Sequence, residues 1–185
     1  MSKTKMRVIV AFITLVVLML VVSIIYLIMC IASDVPSLIS AAVDKSSGNF
    51  SIVYDKNMVI VESYDKNGNF LFSEKLRYSE TNGGTVDVFY ENGHLHVFVW
   101  RRRIMKVYDD SGKLIDEYES QHDTNSLWTD FVNKNGTLAK IVGNTEYVYE
   151  MTPFFKTALP GARNVFYIKN DNVGKIIIWD SKLIK

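Results

Sequence analysis

The sequence predicts an all-β protein preceded by one transmembrane helix, and three observations carry this prediction. The run Val8–Ala32 contains 25 residues and no charged side chain. Beyond Phe50, short segments rich in Val, Ile, Tyr and Phe alternate with breaks made of Asn, Asp and Gly, the pattern of antiparallel strands joined by tight turns. No segment beyond residue 50 repeats its apolar residues with a helical period, so we expect almost no helix there.

The helix prediction for residues 8–32 follows from length and hydropathy. At about 1.5 Å per residue such a helix is about 37 Å long, enough to cross a hydrocarbon core of about 30 Å. Lys3, Lys5 and Arg7 precede the run, and the first charged residues after it are acidic. The positive-inside rule therefore predicts residues 1–7 as a cytoplasmic tail and the C-terminal part as extracytoplasmic, in a single-pass protein of the cell membrane.

A cleaved signal peptide is the alternative interpretation of this segment. The sequence Cys30-Ile31-Ala32 has small residues at the spacing of a cleavage site. However, the apolar region of a signal peptide usually spans about 7–15 residues, and this run is much longer. The length favours an uncleaved anchor, with Cys30 as a thiol buried in the membrane.

Composition excludes several classes of protein. The 185 residues balance 21 Lys and Arg against 20 Asp and Glu, so we expect no nucleic-acid partner. The aromatic content of 12% and the small net charge favour a packed core over disorder. A single cysteine excludes internal disulfides and a Cys-rich zinc site, and we expect no cofactor.

The remaining chain divides into a linker and a β domain. Residues 33–49 are predicted to be a linker because Pro36, several serines and Gly48 interrupt any long element. Residues 50–185 are predicted to form the extracytoplasmic β domain. Its outer strands, near Phe50–Tyr54 and Lys175–Trp179, are expected to be sheet edges through which a homo-oligomer can pair.

Turn dipeptides separate the predicted strands. Asn-Gly accepts positive φ at both residues and is typical of a type I′ hairpin turn. The candidate turns are Asn67-Gly68, Asn92-Gly93, Ser111-Gly112 and Asn135-Gly136.

Part of the sequence repeats internally. Tyr64–Phe70 and Tyr108–Leu114 share the pattern Tyr-Asp-x-x-Gly, 44 positions apart. Further matches among residues 52–57, 88–93, 130–136 and 165–171 are spaced by about 35 to 42 positions. A period of about 40 residues with about four strands is typical of propeller blades or similar stacked sheets.

The Tyr-Asp-x-x-Gly turn resembles the outer-strand hairpin of bacterial β-propeller repeats. The resemblance implies antiparallel β-meander repeats, arranged like a propeller of three to four blades or as stacked sheets. A closed ring usually needs at least four blades. A small or incomplete ring, completion by a second copy, and a stack or sandwich of sheets all stay open.

Histidines provide the candidate metal ligands. Residues i and i+2 of a strand face the same side, so His94 and His96 can approach one ion, and His122 can add a ligand from a loop. A zinc site needs three or four protein ligands. Two histidines on a lightly packed strand face is the simpler interpretation, so we assign no metal site.

A basic segment provides the candidate binding patch. Trp100 is followed by Arg101, Arg102 and Arg103, and adjacent guanidinium groups bind phosphate, anionic polymers or lipid head groups. A solvated hairpin turn is the alternative interpretation, because successive strand residues alternate between faces.

The sequence predicts a binding function rather than catalysis. It contains no Gly-x-Ser-x-Gly, phosphate loop or HExxH motif, and we identify no catalytic residue and no enzyme. We expect a membrane-anchored scaffold or binding module for a protein or an envelope polymer. One alternative is an anchored envelope enzyme or metal-dependent binder that uses His94 and His96. A ligand sensor that signals through the anchor is another.

Overall fold

The computed structural model describes residues 3–32, 35–81, 85–122, 128, 130–134, 137–171 and 174–183. The chain forms two compact units. The first unit comprises Met1–Val35 and Thr152–Ala162, and the second comprises Pro36–Met151 and Arg163–Lys185.

The first unit contains one long helix, α1, over Lys3–Ala32. Its segment Ile9–Ala32 has a mean hydropathy of 3.1, and only 6% of the most apolar window is buried. The hydroxyls of Thr14 and Ser23 donate back to backbone carbonyls four residues earlier, at 2.9 and 2.8 Å. These two polar side chains are therefore satisfied within the helix. By length and composition, α1 is able to cross a membrane as predicted.

The second unit consists of three antiparallel sheets, each built from strands that are consecutive in the chain. This arrangement confirms the predicted all-β meander class. The first sheet contains β1 Leu38–Val43, β2 Phe50–Asp55, β3 Val59–Tyr64 and β4 Phe70–Leu76. The second sheet contains β5 Val86–Glu91, β6 His94–Val99, β7 Ile104–Tyr108 and β8 Leu114–Glu119. The third sheet contains β9 Val132–Lys134, β10 Thr137–Val142, β11 Thr145–Glu150, β12 Val165–Asn170 and β13 Gly174–Asp180.

Helical structure beyond residue 50 is minor, as predicted. In the described part of the chain it is limited to the short helix α2, Tyr78–Thr81, and the 3-10 turns Trp100–Arg102 and Phe154–Lys156.

Strand β1 corrects the assignment of residues 33–49 as a linker. Residues 38–43 have the sequence LISAAV, and five of these six residues are buried. They pair antiparallel with β2, from Leu38 opposite Tyr54 to Val43 opposite Phe50. Small and apolar side chains gain more by covering the edge of β2 than by remaining in solvent. As a result β2 is an interior strand, whereas β13 is an edge strand as predicted.

The turns follow two patterns. Asn92 and Gly93 have φ values of 52° and 80°, as a type I′ turn requires. At Gly68 and Gly112 the glycine alone has positive φ, and an aspartate closes each turn. Asp65 Oδ1 accepts from the amides of residues 67 and 69, and Asp109 Oδ1 accepts from those of residues 111 and 113. The Tyr-Asp-x-x-Gly segments thus form equivalent turns. The Asn135-Gly136 prediction lies outside the described residues.

The core lies between the sheets. An aromatic cluster joins the first and third sheets, where the ring centroid of Phe50 is 5.3 Å from those of Tyr64 and Tyr147 and 5.8 Å from that of Phe166. A cluster rich in valine joins the first and second sheets. Burial of these side chains supplies most of the driving force for folding.

Candidate functional site

A cavity of about 350 Å³ opens where the three sheets approach one another. We call it the central cavity. Its walls come from the end of β1, the middle of β5, residues beside β9 and one residue of β10. They comprise residues 41–45, residues 88–90, His122, Asp130, Phe131 and Lys140. The volume falls within the usual range of small-ligand sites, about 300–1,000 Å³.

An ion pair forms the polar wall of the central cavity. The Lys140 side chain is only 6% exposed, and its Nζ donates to the Val43 carbonyl at 3.0 Å and to Asp130 Oδ2 at 3.1 Å. Lys45 Nζ lies 3.5 Å from the same carboxylate oxygen. The ammonium group of Lys140 therefore links the end of β1 to the third sheet.

For both Lys140 and Asp130, burial and the opposite charge of the partner shift the pKa in opposite directions. Burial lowers the pKa of Lys140, and the hydrogen bond and charge of Asp130 only partly offset this effect. For Asp130, burial alone would raise the pKa. The hydrogen bond and charge of Lys140, with the charge of Lys45, outweigh burial and hold the pKa below its usual value. Asp130 therefore stays ionised opposite two lysines.

The loop after β1 is held by Asp44. The carboxylate of Asp44 accepts hydrogen bonds from the backbone amides and side-chain hydroxyls of Ser46 and Ser47, at 2.6–3.3 Å. Burial alone would raise the pKa of Asp44, but these hydrogen bonds outweigh it and lower the pKa. These local hydrogen bonds fix the conformation of the loop. The side chain of Lys45, in the same loop, is exposed to solvent.

A second carboxylate, Asp87, is buried behind the opposite wall and is only 2% exposed. Its Oδ1 accepts from the Ser40 hydroxyl at 3.0 Å and from the Val88 amide at 2.9 Å, and its Oδ2 lies 3.2 Å from His122 Nε2. Burial raises the pKa of Asp87 even though these hydrogen bonds oppose the shift. His122 also stacks on Phe89, with ring centroids 4.8 Å apart.

The order of these groups does not match that of a hydrolase triad. In a triad the imidazole lies between the hydroxyl and the carboxylate, so that it can remove the hydroxyl proton. Here Asp87 lies between Ser40 and His122, and the Ser40 hydroxyl donates to the carboxylate. This arrangement orients His122 at the cavity wall but does not activate a nucleophile.

The predicted metal candidates lie near one another without forming a cluster. His96 is buried and its ring stacks on Phe89, with centroids 4.9 Å apart. Its Nε2 is 3.9 Å from Glu91 Oε2. Burial lowers the pKa of His96, which favours the neutral imidazole. Among the residues that the structure describes, the buried Nδ1 atoms of His94 and His96 have no hydrogen-bond partner. Within the described ranges, no group of three His, Cys, Asp or Glu side chains is arranged to hold a metal ion.

The predicted basic patch lies on an exposed turn away from the central cavity. Trp100 and Arg101 belong to the 3-10 turn Trp100–Arg102, and Arg103 ends it in the left-handed region at φ 51°. Arg103 donates to the Gln121 side chain at 2.8 Å. Trp100 is 42% exposed. Arg102 lines a separate cavity of about 140 Å³ that also contains Glu80 and Glu117, so nearby carboxylates balance part of its charge.

Two further cavities adjoin the central one at Lys45. One of about 490 Å³ is lined by turns of the first and third sheets, and another of about 340 Å³ lies beside β9 and β10. Lys45 lines all three cavities. All three cavities are lined by both polar and apolar side chains.

Sequence analysis missed Asp87, Lys140 and Asp130. A signal was present for the first two, since Asp87 interrupts the apolar strand Val86–Glu91 and Lys140 interrupts Thr137–Val142. A charged residue at a buried strand position is costly unless it is paired, so it indicates a partner across the core. Asp130 had no comparable signal, because it precedes β9 and does not interrupt an apolar strand, although its partner Lys140 is only ten residues away.

No protein-family model matches the sequence, and no curated protein matches it. Among solved structures, the chain is similar to Kluyveromyces lactis Hsv2, with 7% identity and a TM-score of 0.33 over 73% of this chain and 46% of that protein. A second structure of Kluyveromyces lactis Hsv2, with loop 6CD complete, gives 9% identity and a TM-score of 0.33 over 77% and 49% of the two chains. The chain thus spans about half the length of these proteins, and the similarity is too low to assign a fold family or a function.

Proposed function

We propose that this chain is a single-pass membrane protein whose β domain lies outside the cytoplasm and binds a protein or an envelope polymer. The central cavity, with its fixed Lys140–Asp130 pair, is the observation that carries the binding role.

The exposed surface of α1 supports the anchor. Large apolar side chains along the helix are about half exposed, among them Phe12 at 66% and Leu20 at 58%. A helix that is apolar all round and unburied matches a lipid environment rather than water. Lys3, Lys5 and Arg7 at its N-terminal end support a cytoplasmic N-terminus.

The chemistry of the central cavity supports binding. Its lining combines aromatic and apolar side chains, including Phe89 and Phe131, with the charged side chains of Lys45, Lys140 and Asp130. Such a mixture suits a ligand that carries both polar groups and flat or apolar faces, such as a peptide segment or a saccharide chain.

The packing of the sheets supports a propeller-like arrangement. The first strands of the first and second sheets, β1 and β5, lie side by side, and the Ser40 hydroxyl bonds to Asp87 between them. The central cavity is lined by these two strands and by the start of the third sheet. In a propeller the first strands of the blades surround the central channel in the same way.

Site-specific photocrosslinking tests the binding role. A photoreactive residue at position 45, in the full chain in intact cells, should form an adduct with a polypeptide or a glycan. The matched control is position 113, an exposed lysine in the turn between β7 and β8. Equal adduct yields at the two positions, or none at position 45, would contradict binding at this surface.

A second candidate function is metal-dependent binding through His94 and His96. The unpartnered Nδ1 atoms of both histidines favour it, because a buried imidazole nitrogen without a hydrogen bond is a free ligand. Elemental analysis of the purified full chain tests this function. Stoichiometric zinc that is lost in the His96→Ala variant would support it, and a metal-free, folded protein would exclude it.

A further inference from the structure

The connection between β11 and β12 has an unusual composition for a loop. Residues 152–162 have the sequence TPFFKTALPGA, which contains one basic residue and no acidic one. Three large apolar side chains in it are exposed: Phe155 at 71%, Phe154 at 48% and Leu159 at 47%. Surface loops normally expose polar side chains, so a compact group of exposed apolar residues indicates a contact surface.

This loop belongs to the same compact unit as α1. The Tyr26 hydroxyl donates to the Phe155 carbonyl. The Thr157 hydroxyl donates to the Phe154 carbonyl at 2.7 Å, and its oxygen also lies 3.2 Å from the carbonyl oxygen of Cys30, one of the last four carbonyls of α1. The loop is therefore held against the last two turns of the helix.

The position of these bonds along α1 gives the depth of the loop. Tyr26 precedes the helix end at Ala32 by six residues, about 9 Å of helix rise, and Cys30 precedes it by two residues, about 3 Å. The segment Ile9–Ala32 has 24 residues, so it exceeds a hydrocarbon core of about 30 Å by only a few ångströms. With this excess divided between the two ends, Thr157 lies level with the boundary between the lipid chains and the head groups, and Phe155 lies about 6 Å inside that boundary, still in the outer half of the leaflet.

The loop backbone is suited to that boundary. Four internal hydrogen bonds, at 2.7–3.2 Å, join the amides of residues 156, 157, 159 and 162 to carbonyls three residues earlier. Pro153 and Pro160 have no amide hydrogen to satisfy. The four bonds and the two prolines reduce the number of amide hydrogens that lose water, which lowers the cost of moving this segment towards lipid. Lys156 has a stem long enough to keep its ammonium group among the head groups.

We propose that residues 152–162 form a second membrane contact, in which Phe154, Phe155 and Leu159 insert into the bilayer interface beside the end of α1. The occupant of this apolar surface is lipid, because the surface continues the exposed apolar surface of α1 within one compact unit. Apolar residues with a basic neighbour and no acidic residue are typical of segments that lie in the interface. The inference rests on the proposed membrane span of α1 but not on its direction.

Depth-dependent fluorescence quenching tests the inference. The full chain carries one cysteine, so Cys30→Ser provides a background in which Phe155→Cys is labelled with an environment-sensitive fluorophore. The protein is reconstituted in phosphatidylcholine and phosphatidylglycerol vesicles that contain lipids with a nitroxide near the head group or deep in the acyl chain. Leu20→Cys in α1 is the control for the membrane span, and Ser111→Cys in an exposed turn is the control for solvent. Leu159→Cys provides a second probe if Phe155→Cys does not fold.

The inference predicts blue-shifted emission at position 155 and stronger quenching by the shallow nitroxide than by the deep one. Position 20 should show the opposite preference, and position 111 should emit as in water. Water-like emission at position 155 with normal quenching at position 20 would overturn the inference and retain the anchor. Blue-shifted emission at position 155 without nitroxide quenching would show that protein covers the loop and would also overturn it. Unquenched emission at position 20 would remove the proposed anchor itself, and the inference with it.

Discussion

Replacing Lys140 by methionine tests whether the ion pair holds the central cavity together. The substitution keeps most of the apolar stem and removes Nζ, which donates to the Val43 carbonyl and to Asp130. Because Lys140 joins the end of β1 to the third sheet, its loss should destabilise the domain and loosen the cavity wall.

The magnitude follows from the exposure of each partner. The Lys140 side chain is 6% exposed, so the Val43 carbonyl loses a buried donor, a loss of about 1–3 kcal/mol. The Asp130 side chain is 47% exposed and returns to water, so the ion pair itself contributes at most about 1 kcal/mol. The variant also avoids the desolvation penalty of a buried ammonium group, which offsets part of this destabilisation. We expect a net destabilisation of about 2 kcal/mol, within the range for a broken buried network.

Urea unfolding of the full chain in detergent micelles measures this effect. Trp128 and Trp179 pack in the aromatic cluster and report on the β domain by fluorescence. Lys75→Met, at an exposed position of β4, is the control and should change the free energy of unfolding by less than about 0.5 kcal/mol. In a double-mutant cycle Lys140→Met and Asp130→Asn should couple by about 1 kcal/mol. An unchanged or higher stability in Lys140→Met, with no coupling, would refute the reasoning.

Three further predictions concern the core, a turn and pH. Phe50→Ala should lower the free energy of unfolding by about 3–5 kcal/mol, because Phe50 is fully buried among aromatic rings; a loss below about 1 kcal/mol would contradict the packing described here. Gly112→Ala should destabilise more than Gly93→Ala. Both glycines have positive φ, but only at Gly112 would the new Cβ overlap with the Phe72 ring, whereas the space beside Gly93 is open; equal losses would argue against that contact. Burial raises the pKa of Asp87 in the folded state, so its contribution favours folding at low pH and is lost as pH rises through that pKa. The stability of Asp87→Asn relative to the wild type should therefore improve from pH 4 to pH 7, and a pH-independent difference would exclude this role.

Local patterns predicted the parts of the fold that local physics determines. An uncharged run long enough for a bilayer has no alternative to helix in lipid, so α1 was predictable. Asn92-Gly93 adopts the predicted type I′ geometry, because few other residue pairs accept positive φ twice. Strand β1 was not predicted, since Pro36, several serines and Gly48 in residues 33–49 are typical of a linker. Its extended state depends on pairing with β2.

The candidate site was less predictable for the same reason. His94 and His96 do share a strand, but the geometry of the central cavity depends on Asp87, Lys140 and Asp130. Asp87 and Lys140 lie on different sheets, which meet only after the sheets pack. In the sequence these two residues are marked only as charges within apolar strands, and Asp130 has no such signal. The basic turn Trp100–Arg103 is conspicuous in the sequence but does not line the central cavity. It lies on an exposed turn with carboxylates near Arg102.

The most direct test of the central claim is the topology of the chain in intact cells. In a Cys30→Ser background, Ser111→Cys and Ser2→Cys are treated with a membrane-impermeant maleimide before and after permeabilisation. The account predicts that position 111 is labelled in intact cells and that position 2 is labelled only after permeabilisation, with both proteins in the membrane fraction. Labelling of position 111 only after permeabilisation, or recovery of a soluble chain cleaved near Ala32, would contradict it.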